Sequence, residues 1–386
     1  MKCFRMLTTI RWPQIGILLV VVLALTCGCA KKEPGEIRIG AIFALTGDYA
    51  AFGERAKNGV ELALEEIKME SAVGSNIEII YEDSEGDPDK ALSAFRRLVE
   101  VEGVKLILGP LSSAELLSIA PLAERKEIVV LSPVASAPQI TTAGDYIFRN
   151  CVSDVFEGTV AADFAYRILR KTKASVIYLN DDFGVGLKNA FKDRFGHIGG
   201  QTIAEEAFNS GDIDFRTQLT KINSKKPDVV VLAGYAVEMG RILRQSVELG
   251  LRCTFVSFSS FEAPEILRIG GTGTEGVYYT YQGFDSQSEE ETVREFVARY
   301  KARYAEEPDI FAGLSFDAMR IMSEALRIGG VDANRVKEAL YGIEGFHGVV
   351  GKTSFDENGD VIKPIGVKRV VDGEFVWVMR DFEISL

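Results

Sequence analysis

Residues 104–142 read VKLILGPLSSAELLSIAPLAERKEIVVLSPVASAPQITT, and this stretch decides the fold class. Two short apolar runs, Leu106 to Leu108 and Ile128 to Leu131, have the length and the β-branched content of strands that are buried on both faces. Between them, apolar residues recur at helical spacing: Leu116, Leu117, Ala120 and Ala123. The stretch therefore predicts a strand, a helix and a second, parallel strand.

A loop of small and hydroxyl-bearing residues follows each of these two strands. The first loop contains Ser112 and Ser113, and the second contains Val134, Ala135 and Ser136. Parallel strands place both loops at the carboxyl edge of the sheet, where open α/β sheets bind ligands. The first loop also opens a helix, whose free backbone N–H groups attract an anion. We therefore predict a seat for a carboxylate beside a second polar loop.

The alternation of strand and helix patterns continues on both sides of this stretch, in two halves. After Phe284 three helical patterns follow without a strand between them, so they are predicted to return to the first half (about residues 289–305, 311–328 and 333–341). We predict an α/β protein with two doubly wound, Rossmann-like lobes joined by three crossovers. Lobe 1 is expected to comprise residues 36–153 and 284–363, and lobe 2 residues 154–283 and 364–386.

The amino terminus has the features of a secretory signal. An apolar run from Ile15 to Leu25 is too short for a membrane span but has the length of a signal-peptide core. The sequence Leu25-Thr26-Cys27-Gly28-Cys29 resembles a bacterial lipobox, with its leucine one position early. We predict a lipoprotein signal peptide over residues 1–28, lipidation at Cys29 and a tether over residues 29–35. An ordinary cleaved signal with incidental cysteines is the alternative.

Composition narrows the range of partners. The net charge of -12 repels phosphate backbones, so nucleic acid is not expected to bind. His197 and His347 lie far apart, and no Cys/His cluster has the spacing of metal ligands, so neither a metal nor a cofactor is expected. Two cysteines beyond the signal, Cys151 and Cys253, fall in different predicted lobes and are expected to be buried thiols.

An ordered series of short motifs runs from Glu36 to the end of the chain. It comprises Ile39-Gly40-Ala41, Leu45-Thr46-Gly47, Phe52-Gly53, Tyr81-Glu82-Asp83, Asp87-Pro88, Gly109-Pro110, Ser132-Pro133, Arg149 with Asp154, Gly234-Tyr235, Glu238-Met239-Gly240 and Phe355-Asp356 with Gly359. The series resembles type I periplasmic binding proteins of the leucine/isoleucine/valine-binding class, which serve ABC importers. The resemblance implies a monomeric clamp on the extracytoplasmic face of a bacterial membrane, with a small-molecule ligand and with ABC permease and ATPase subunits as partners.

The resemblance also implies a pocket. The hydroxyl and backbone N–H of Ser113, next to Ser112, are expected to hold the α-carboxylate of the ligand. The carbonyl of Val134 and the hydroxyl of Ser136, in the loop that contains Ala135, are expected to take the α-ammonium. A plain helix N-cap serine is the alternative for Ser113.

Aromatic residues are expected to enclose the side chain of the ligand. By the resemblance, Tyr235 contacts the ligand from lobe 2 and Phe52 forms a wall, while Phe183 stands where the leucine-binding pattern has tyrosine. Further aromatic residues that we assign to the pocket are Phe258, Phe261 and Tyr281. An ordinary core position is the alternative for each of them.

One departure from the family pattern bears on the ligand class. The glutamate that pairs with the ammonium in this family falls at Ser259 here, and a desolvated ammonium needs an anionic partner. We expect Asp154 to supply that charge, with a helix N-cap as its alternative role. Either the ligand is an amino acid held by Asp154, or it is a carboxylate without an ammonium.

These observations favour a lipid-anchored receptor of an ABC importer that binds a branched-chain or other hydrophobic amino acid. The alternatives are an organic or aromatic acid or amide as ligand, and a sensor that signals through a separate partner. Catalysis is not expected, because no Gly-x-Gly-x-x-Gly follows the first strand and no Gly-x-Ser-x-Gly elbow occurs.

Overall fold

The computed structural model describes residues 36–70, 76–361, 363–380 and 382. The predicted signal peptide, Cys29 and the tether lie outside the described residues. In the part of the chain that is described, no helix is both long enough and apolar enough to cross a bilayer.

The first lobe is built on a five-stranded parallel sheet. Its strands are β1 Ile37–Phe43, β2 Ile77–Asp83, β3 Leu106–Leu108, β4 Val129–Ser132 and β5 Ile147–Arg149, in the spatial order β2-β1-β3-β4-β5. Its first helices are α1 Ala50–Glu70, α2 Pro88–Arg96, with a further π-helical turn to Val101, and α3 Ser113–Lys126. The predicted strand, helix and strand of residues 104–142 are confirmed as β3, α3 and β4, with Leu106 in register with Val129.

The two central strands explain why their sequence is apolar without alternation. Ile107 and Val130 pack into the hydrophobic core on one face of the sheet, while Leu108 and Leu131 pack into the core on the other face. All four side chains are fully buried. Because successive side chains of a strand point to opposite faces, a sheet covered on both faces needs apolar residues at every position.

The second lobe begins with helices and strands in the same alternation. Its five parallel strands are β6 Lys173–Leu179, β7 Gln201–Phe208, β8 Val229–Ala233, β9 Thr254–Ser257 and β10 Tyr278–Gln282. Its helices are α4 Asp154–Asp163, with a π-helical turn Phe164–Ile168, then α5 Asp182–His197, α6 Arg216–Lys225, α7 Ala236–Glu248 and α8 Pro264–Gly270. These strands pair in parallel, in the order β10-β9-β8-β6-β7.

After β10, the chain packs against the helices of the first sheet. The returning segment contains α9 Glu291–Tyr304, α10 Ile310–Gly329, α11 Ala333–Tyr341 and the hairpin β11 Phe346–Gly348 with β12 Gly351–Thr353. Helix α10 lies so close to α1 that a Cβ on Gly59 would fall 2.2 Å from the carbonyl oxygen of Ala312. Glu66 of α1 also accepts hydrogen bonds from Arg299 of α9 and Arg320 of α10.

The last two strands complete the second sheet. Strands β13 Ile365–Val371 and β14 Glu374–Met379 form an antiparallel hairpin, and β13 pairs antiparallel with β10. The chain thus passes between the two sheets after β5, after β10 and after β12. The lobe boundaries predicted at residues 153, 283 and 363 lie in these connections and stay predictions.

Candidate functional site

The loop after β3 is fixed by the cap of helix α3. The backbone N–H and the hydroxyl of Ser112 donate to Glu115 Oε2 at 3.1 and 2.6 Å, and Ser112 Oγ accepts from the Glu115 N–H at 3.3 Å. This reciprocal pair is a capping box. Ser112 is therefore the N-cap, so the N-cap alternative for Ser113 is wrong.

Ser113 connects the two polar loops. Its side-chain oxygen accepts hydrogen bonds from the backbone N–H groups of Ser136 and Ala137, at 3.1 and 3.0 Å. Because a hydroxyl can accept two hydrogen bonds and donate one, the proton of Ser113 is still free to donate. Ser113 and Ser136 both line the cavity between the lobes. The second loop is thus held by the same residue that is expected to bind the ligand.

A buried arginine supports the second loop from behind. Arg149, at the end of β5, donates from Nη1 to the carbonyl oxygens of Ser136 and Ala137, at 2.9 Å each. Its Nη2 donates to Asp360 Oδ2 at 2.5 Å and to the hydroxyl of Thr141 at 2.7 Å. The side chain of Arg149 has no exposed surface. These bonds from Nη1 and Nη2 fix the loop, while the buried Nε of Arg149 has no hydrogen-bond partner among the described residues.

Helix α4 brings a carboxylate to the cavity from the second lobe. The N-cap of α4 is Ser153, whose hydroxyl oxygen accepts from the Val155 N–H, so the N-cap alternative for Asp154 is wrong. One turn further on, Glu157 lines the cavity. Glu157 Oε1 accepts from the N–H of Ser259 at 2.7 Å, the hydroxyl of Ser259 at 2.5 Å and the hydroxyl of Thr280 at 2.7 Å. Burial raises the pKa of Glu157 above its ordinary range.

Aromatic rings from both lobes form one wall of the cavity. Tyr235, at the start of α7, stacks on Phe183 of α5 with ring centroids 5.0 Å apart. Its ring also lies 6.1 Å from that of Phe52 and 5.2 Å, edge to face, from that of Tyr49. Phe311 of α10 continues this wall, 4.8 Å from Phe52. Aromatic contacts of this kind add stability beyond the area that they bury.

Polar contacts join the lobes at the mouth of the cavity. The hydroxyl groups of Tyr49 and Ser210 lie 2.6 Å apart. Arg55 of α1 donates to Glu265 of α8 through two nitrogens, at 2.5 and 3.3 Å, and also lies 3.4 Å from Asp309. The lobes are therefore closed on each other.

The cavity between the lobes suits a small molecule. It has a volume of about 80 Å³, counted as the space open to the centre of a water molecule. Since a water needs roughly 10–15 Å³ of this volume, the space admits about five to eight water-sized groups. Glu115 and Glu157 both line it, and its described lining residues include no lysine, arginine or histidine. The cavity is thus apolar along one wall and acidic at its polar end.

The structure brings most of the predicted site residues to this cavity. Those that line it are Phe52, Ser112, Ser113, Val134, Ser136, Phe183, Tyr235 and Ser259. Two others, Ala135 and Asp154, are absent from its described lining and are buried behind it. Burial raises the pKa of Asp154 well above its ordinary range, which favours the neutral acid. The roles assigned to these residues stay predictions.

Three aromatic residues that were predicted to line the pocket lie elsewhere, and several residues that do line it were not predicted. Phe258, Phe261 and Tyr281 are fully buried in the hydrophobic cores of the second lobe, away from the cavity lining. The lining residues that were not predicted include Tyr49, Glu115, Glu157, Gln282 and Phe311. Glu157 had a signal in the sequence, because it follows Asp154 at the three-residue spacing that puts two side chains on one helix face.

The described cysteines and acidic side chains form neither a disulfide nor a metal centre. Cys151 is buried and lines the cavity, whereas Cys253 is half-buried, which corrects the expectation that both thiols are buried. Neither is bridged to a described cysteine. In residues 36–382, apart from the positions left undescribed, no group of three or more His, Cys, Asp or Glu side chains is arranged to hold a metal ion.

Comparison with known proteins agrees with this architecture. A family model described as periplasmic binding protein matches residues 36–374. A Leu/Ile/Val-binding protein homolog from Brucella melitensis is 26% identical over 355 residues, which cover 91% of this chain and 95% of that protein. A crystal structure of a leucine-binding protein from Thermotoga maritima superposes with a TM-score of 0.84 at 32% identity, over 88% of this chain and 97% of the other.

Two further crystal structures differ in what they bind. A branched-chain amino acid binding protein from Streptococcus pneumoniae, in complex with isoleucine, has a TM-score of 0.81 at 28% identity over 88% of this chain and 97% of its own. A solute-binding protein from Rhodopseudomonas palustris, in complex with benzoate, has a TM-score of 0.82 at 20% identity over 89% of this chain and 96% of its own. The second likeness shows the shared fold alone.

Proposed function

Since the chain belongs to the periplasmic binding protein family, we propose that it is the solute-binding protein of an ABC importer and captures a branched-chain or other hydrophobic amino acid between its lobes. One observation carries the proposal: a small cavity between the lobes combines an aromatic wall with two serine-bearing loops and buried carboxylates. An amino acid presents the matching set of groups, namely an apolar side chain, a carboxylate and an ammonium.

Each polar group of an amino acid has a partner in the cavity. The free proton of Ser113 and the amino-terminal end of α3 offer hydrogen bonds to the carboxylate. The carbonyl of Val134 and the hydroxyl of Ser136 accept from the ammonium. The side chain then lies against Phe52, Phe183 and Tyr235. Because lobe 1 supplies the serine loops and lobe 2 supplies Tyr235, a bound ligand joins the two lobes and favours closure.

A thermal-shift screen tests this function. The panel contains the L-amino acids, aromatic acids such as benzoate, and the corresponding amides. A ligand that binds only the folded protein raises its melting temperature in proportion to the logarithm of its concentration over the Kd. We expect the largest shift from a hydrophobic amino acid. Shifts confined to aromatic or organic acids would contradict the proposal.

Ser113→Ala should weaken amino-acid binding by about 1.5–3 kcal/mol, the usual contribution of a hydrogen bond to a charged group. The change also leaves the N–H groups of Ser136 and Ala137 without their acceptor, so the free energy of unfolding should fall by about 1–3 kcal/mol. Calorimetry measures the first effect and chemical denaturation the second.

Ser132→Ala is the matched control for this variant. Ser132 donates to the Pro110 carbonyl at 2.6 Å and accepts from the Ala135 N–H at 3.1 Å, but it is absent from the described cavity lining. It should lower stability while keeping most of the affinity. An equal loss of affinity in both variants would remove Ser113 from the carboxylate seat.

We propose a lipid anchor for the same protein, which would act as a monomer at the extracytoplasmic face of a bacterial membrane and deliver its ligand to a permease. The support is the lipobox-like sequence that ends at Cys29. Stable anchoring needs more than one acyl chain, as bacterial lipoproteins carry.

Cys29→Ser should abolish lipidation and move the protein from the membrane fraction to the soluble or signal-anchored fraction. Labelling with a radioactive or clickable fatty acid in growing cells measures the effect. Cys27→Ser, two positions earlier, is the control and should keep the label. A labelled Cys29→Ser protein would show that the processing site lies elsewhere.

A further inference from the structure

We propose that Glu157 is the anionic partner of the ligand's ammonium, so that the cavity selects ligands with an ammonium and rejects carboxylates that lack one. The inference rests on the proposed function and assigns the charge to a different residue from the one that the sequence indicated. Its basis is the position of Glu157, the hydrogen bonds that orient it and the charges of the groups around the cavity.

Glu157 is buried, and its orientation is fixed. Its side chain reaches the cavity wall from α4, at 2% exposure. The three hydrogen bonds from Ser259 and Thr280 all end on Oε1. They hold the carboxylate in place and leave Oε2 for another donor. Burial raises the pKa of Glu157, and these hydrogen bonds oppose that effect by stabilising the ionised carboxylate. An ammonium beside Oε2 would stabilise the ionised form further.

The charges around the cavity favour a ligand with a positive group. Two carboxylates, Glu115 and Glu157, line the cavity, and its described lining holds no basic residue. The buried cations nearby are engaged elsewhere: Arg149 with Asp360, and Lys363 with the side-chain oxygen of Asn150 at 3.1 Å. A carboxylate ligand without an ammonium would therefore enter a negative site with no compensating charge, at a high cost in free energy. An amino acid carries its own compensating charge to Glu157.

Ser259 fits the same scheme. The resemblance implies a glutamate at this position, and here the serine donates two hydrogen bonds to Glu157. The carboxylate of Glu157 therefore reaches this corner of the cavity from α4, and Ser259, in the loop after β9, holds it in place. Asp154 is a weaker candidate, because it is absent from the described lining and its Oδ2 lies against Gly186 of α5, 3.0 Å from a Cβ built there.

Glu157→Gln tests the assignment with little change in shape. The amide oxygen of glutamine can accept the same three hydrogen bonds, and its NH₂ group then faces the cavity, where it repels an ammonium. Calorimetry compares the best-binding L-amino acid with its deaminated analogue, for example leucine with 4-methylpentanoate. We expect the variant to bind the amino acid at least about 30-fold more weakly, the effect of removing one partner of a buried charge pair. Binding of the deaminated acid should be unchanged or tighter.

Asp154→Asn is the matched control, on the same helix. It should keep the ratio of the two affinities close to that of the wild type. If Glu157 had a purely structural role, Glu157→Gln would lower the affinity for both ligands alike, and that result would overturn the assignment. A change of ratio in Asp154→Asn but not in Glu157→Gln would also overturn it and return the role to Asp154.

The wild-type protein gives an independent test that needs no variant. The decarboxylated analogue, 3-methylbutylamine in the case of leucine, should bind more tightly than 4-methylpentanoate. Tighter binding of the acid would contradict the inference. Failure of every amino acid to bind, with tight binding of an organic acid, would overturn the proposed function itself. If the protein binds amino acids but Glu157→Gln leaves the ratio of the two affinities unchanged, only the role of Glu157 would be overturned.

Discussion

Asp360→Ala should lower the free energy of unfolding by about 3–5 kcal/mol, as expected when one partner of a buried ion pair is removed. Arg149 has no exposed surface, and the Asp360 side chain is its only acidic partner among the described ion pairs. Without Asp360 the guanidinium keeps the carbonyl groups of Ser136 and Ala137 and the hydroxyl of Thr141, but it remains charged in a site closed to water.

Chemical denaturation followed by circular dichroism measures this change. Glu324→Ala is a suitable control, because Glu324 pairs with Arg327 on the surface of α10, where ion pairs contribute little. Its unfolding curve should nearly overlay that of the wild type. If Asp360→Ala were no less stable than Glu324→Ala, the Arg149–Asp360 pair would not hold the ligand loop in the way described here.

Tyr235→Ala should weaken ligand binding by about 2–4 kcal/mol, the range of a central aromatic residue in a binding site. Tyr235 touches the rings of Phe183 in its own lobe and of Tyr49 and Phe52 in the other lobe. Its removal therefore takes away part of the cavity wall and the main aromatic contact between the lobes. The closed form loses these contacts, so closure around the ligand becomes less favourable.

Calorimetry with the amino acid that gives the largest thermal shift measures this loss. Tyr235→Phe is the control, because it keeps the ring that makes these contacts. We expect that control to bind within about threefold of the wild type, which is less than 1 kcal/mol. If Tyr235→Ala bound the ligand as tightly as Tyr235→Phe, the aromatic wall would not contribute to affinity.

The sheet and its loops were predictable because their signals are local. Leu106 to Leu108 and Ile128 to Leu131 are short apolar runs followed by small polar residues, and parallel pairing then fixes where the loops meet. The capping box of Ser112 and Glu115 could also have been read from their three-residue spacing. Its recognition would have assigned the N-cap to Ser112 and left Ser113 free for the ligand.

The choice between Asp154 and Glu157 depends on how α4 is rotated, which a single sequence does not show. Helices α4 and α5 approach closely at two glycines. A Cβ on Gly158 would lie 2.6 Å from the Cβ of Ala190, and a Cβ on Gly186 would lie 3.0 Å from Asp154 Oδ2. This contact turns Asp154 toward α5, and Glu157 faces the cavity.

Strand alternation explains why Tyr281 lies outside the cavity. Thr280 and Tyr281 are neighbours on β10, so their side chains point to opposite faces of the sheet. Thr280 donates to Glu157 on the side of the cavity, and Tyr281 packs edge to face on Trp377 of the closing hairpin. That hairpin comes from the far end of the chain. The residues around Tyr281 in the sequence therefore do not show that the hairpin covers it.

The cavity is proposed to hold an amino acid through both its carboxylate and its ammonium. Calorimetric titration of the wild-type protein with L-leucine and with 4-methylpentanoate, under identical conditions, tests this proposal most directly. We expect leucine to bind at least about 30-fold more tightly, because only leucine brings an ammonium to the buried carboxylate. Equal or tighter binding of 4-methylpentanoate would contradict the account.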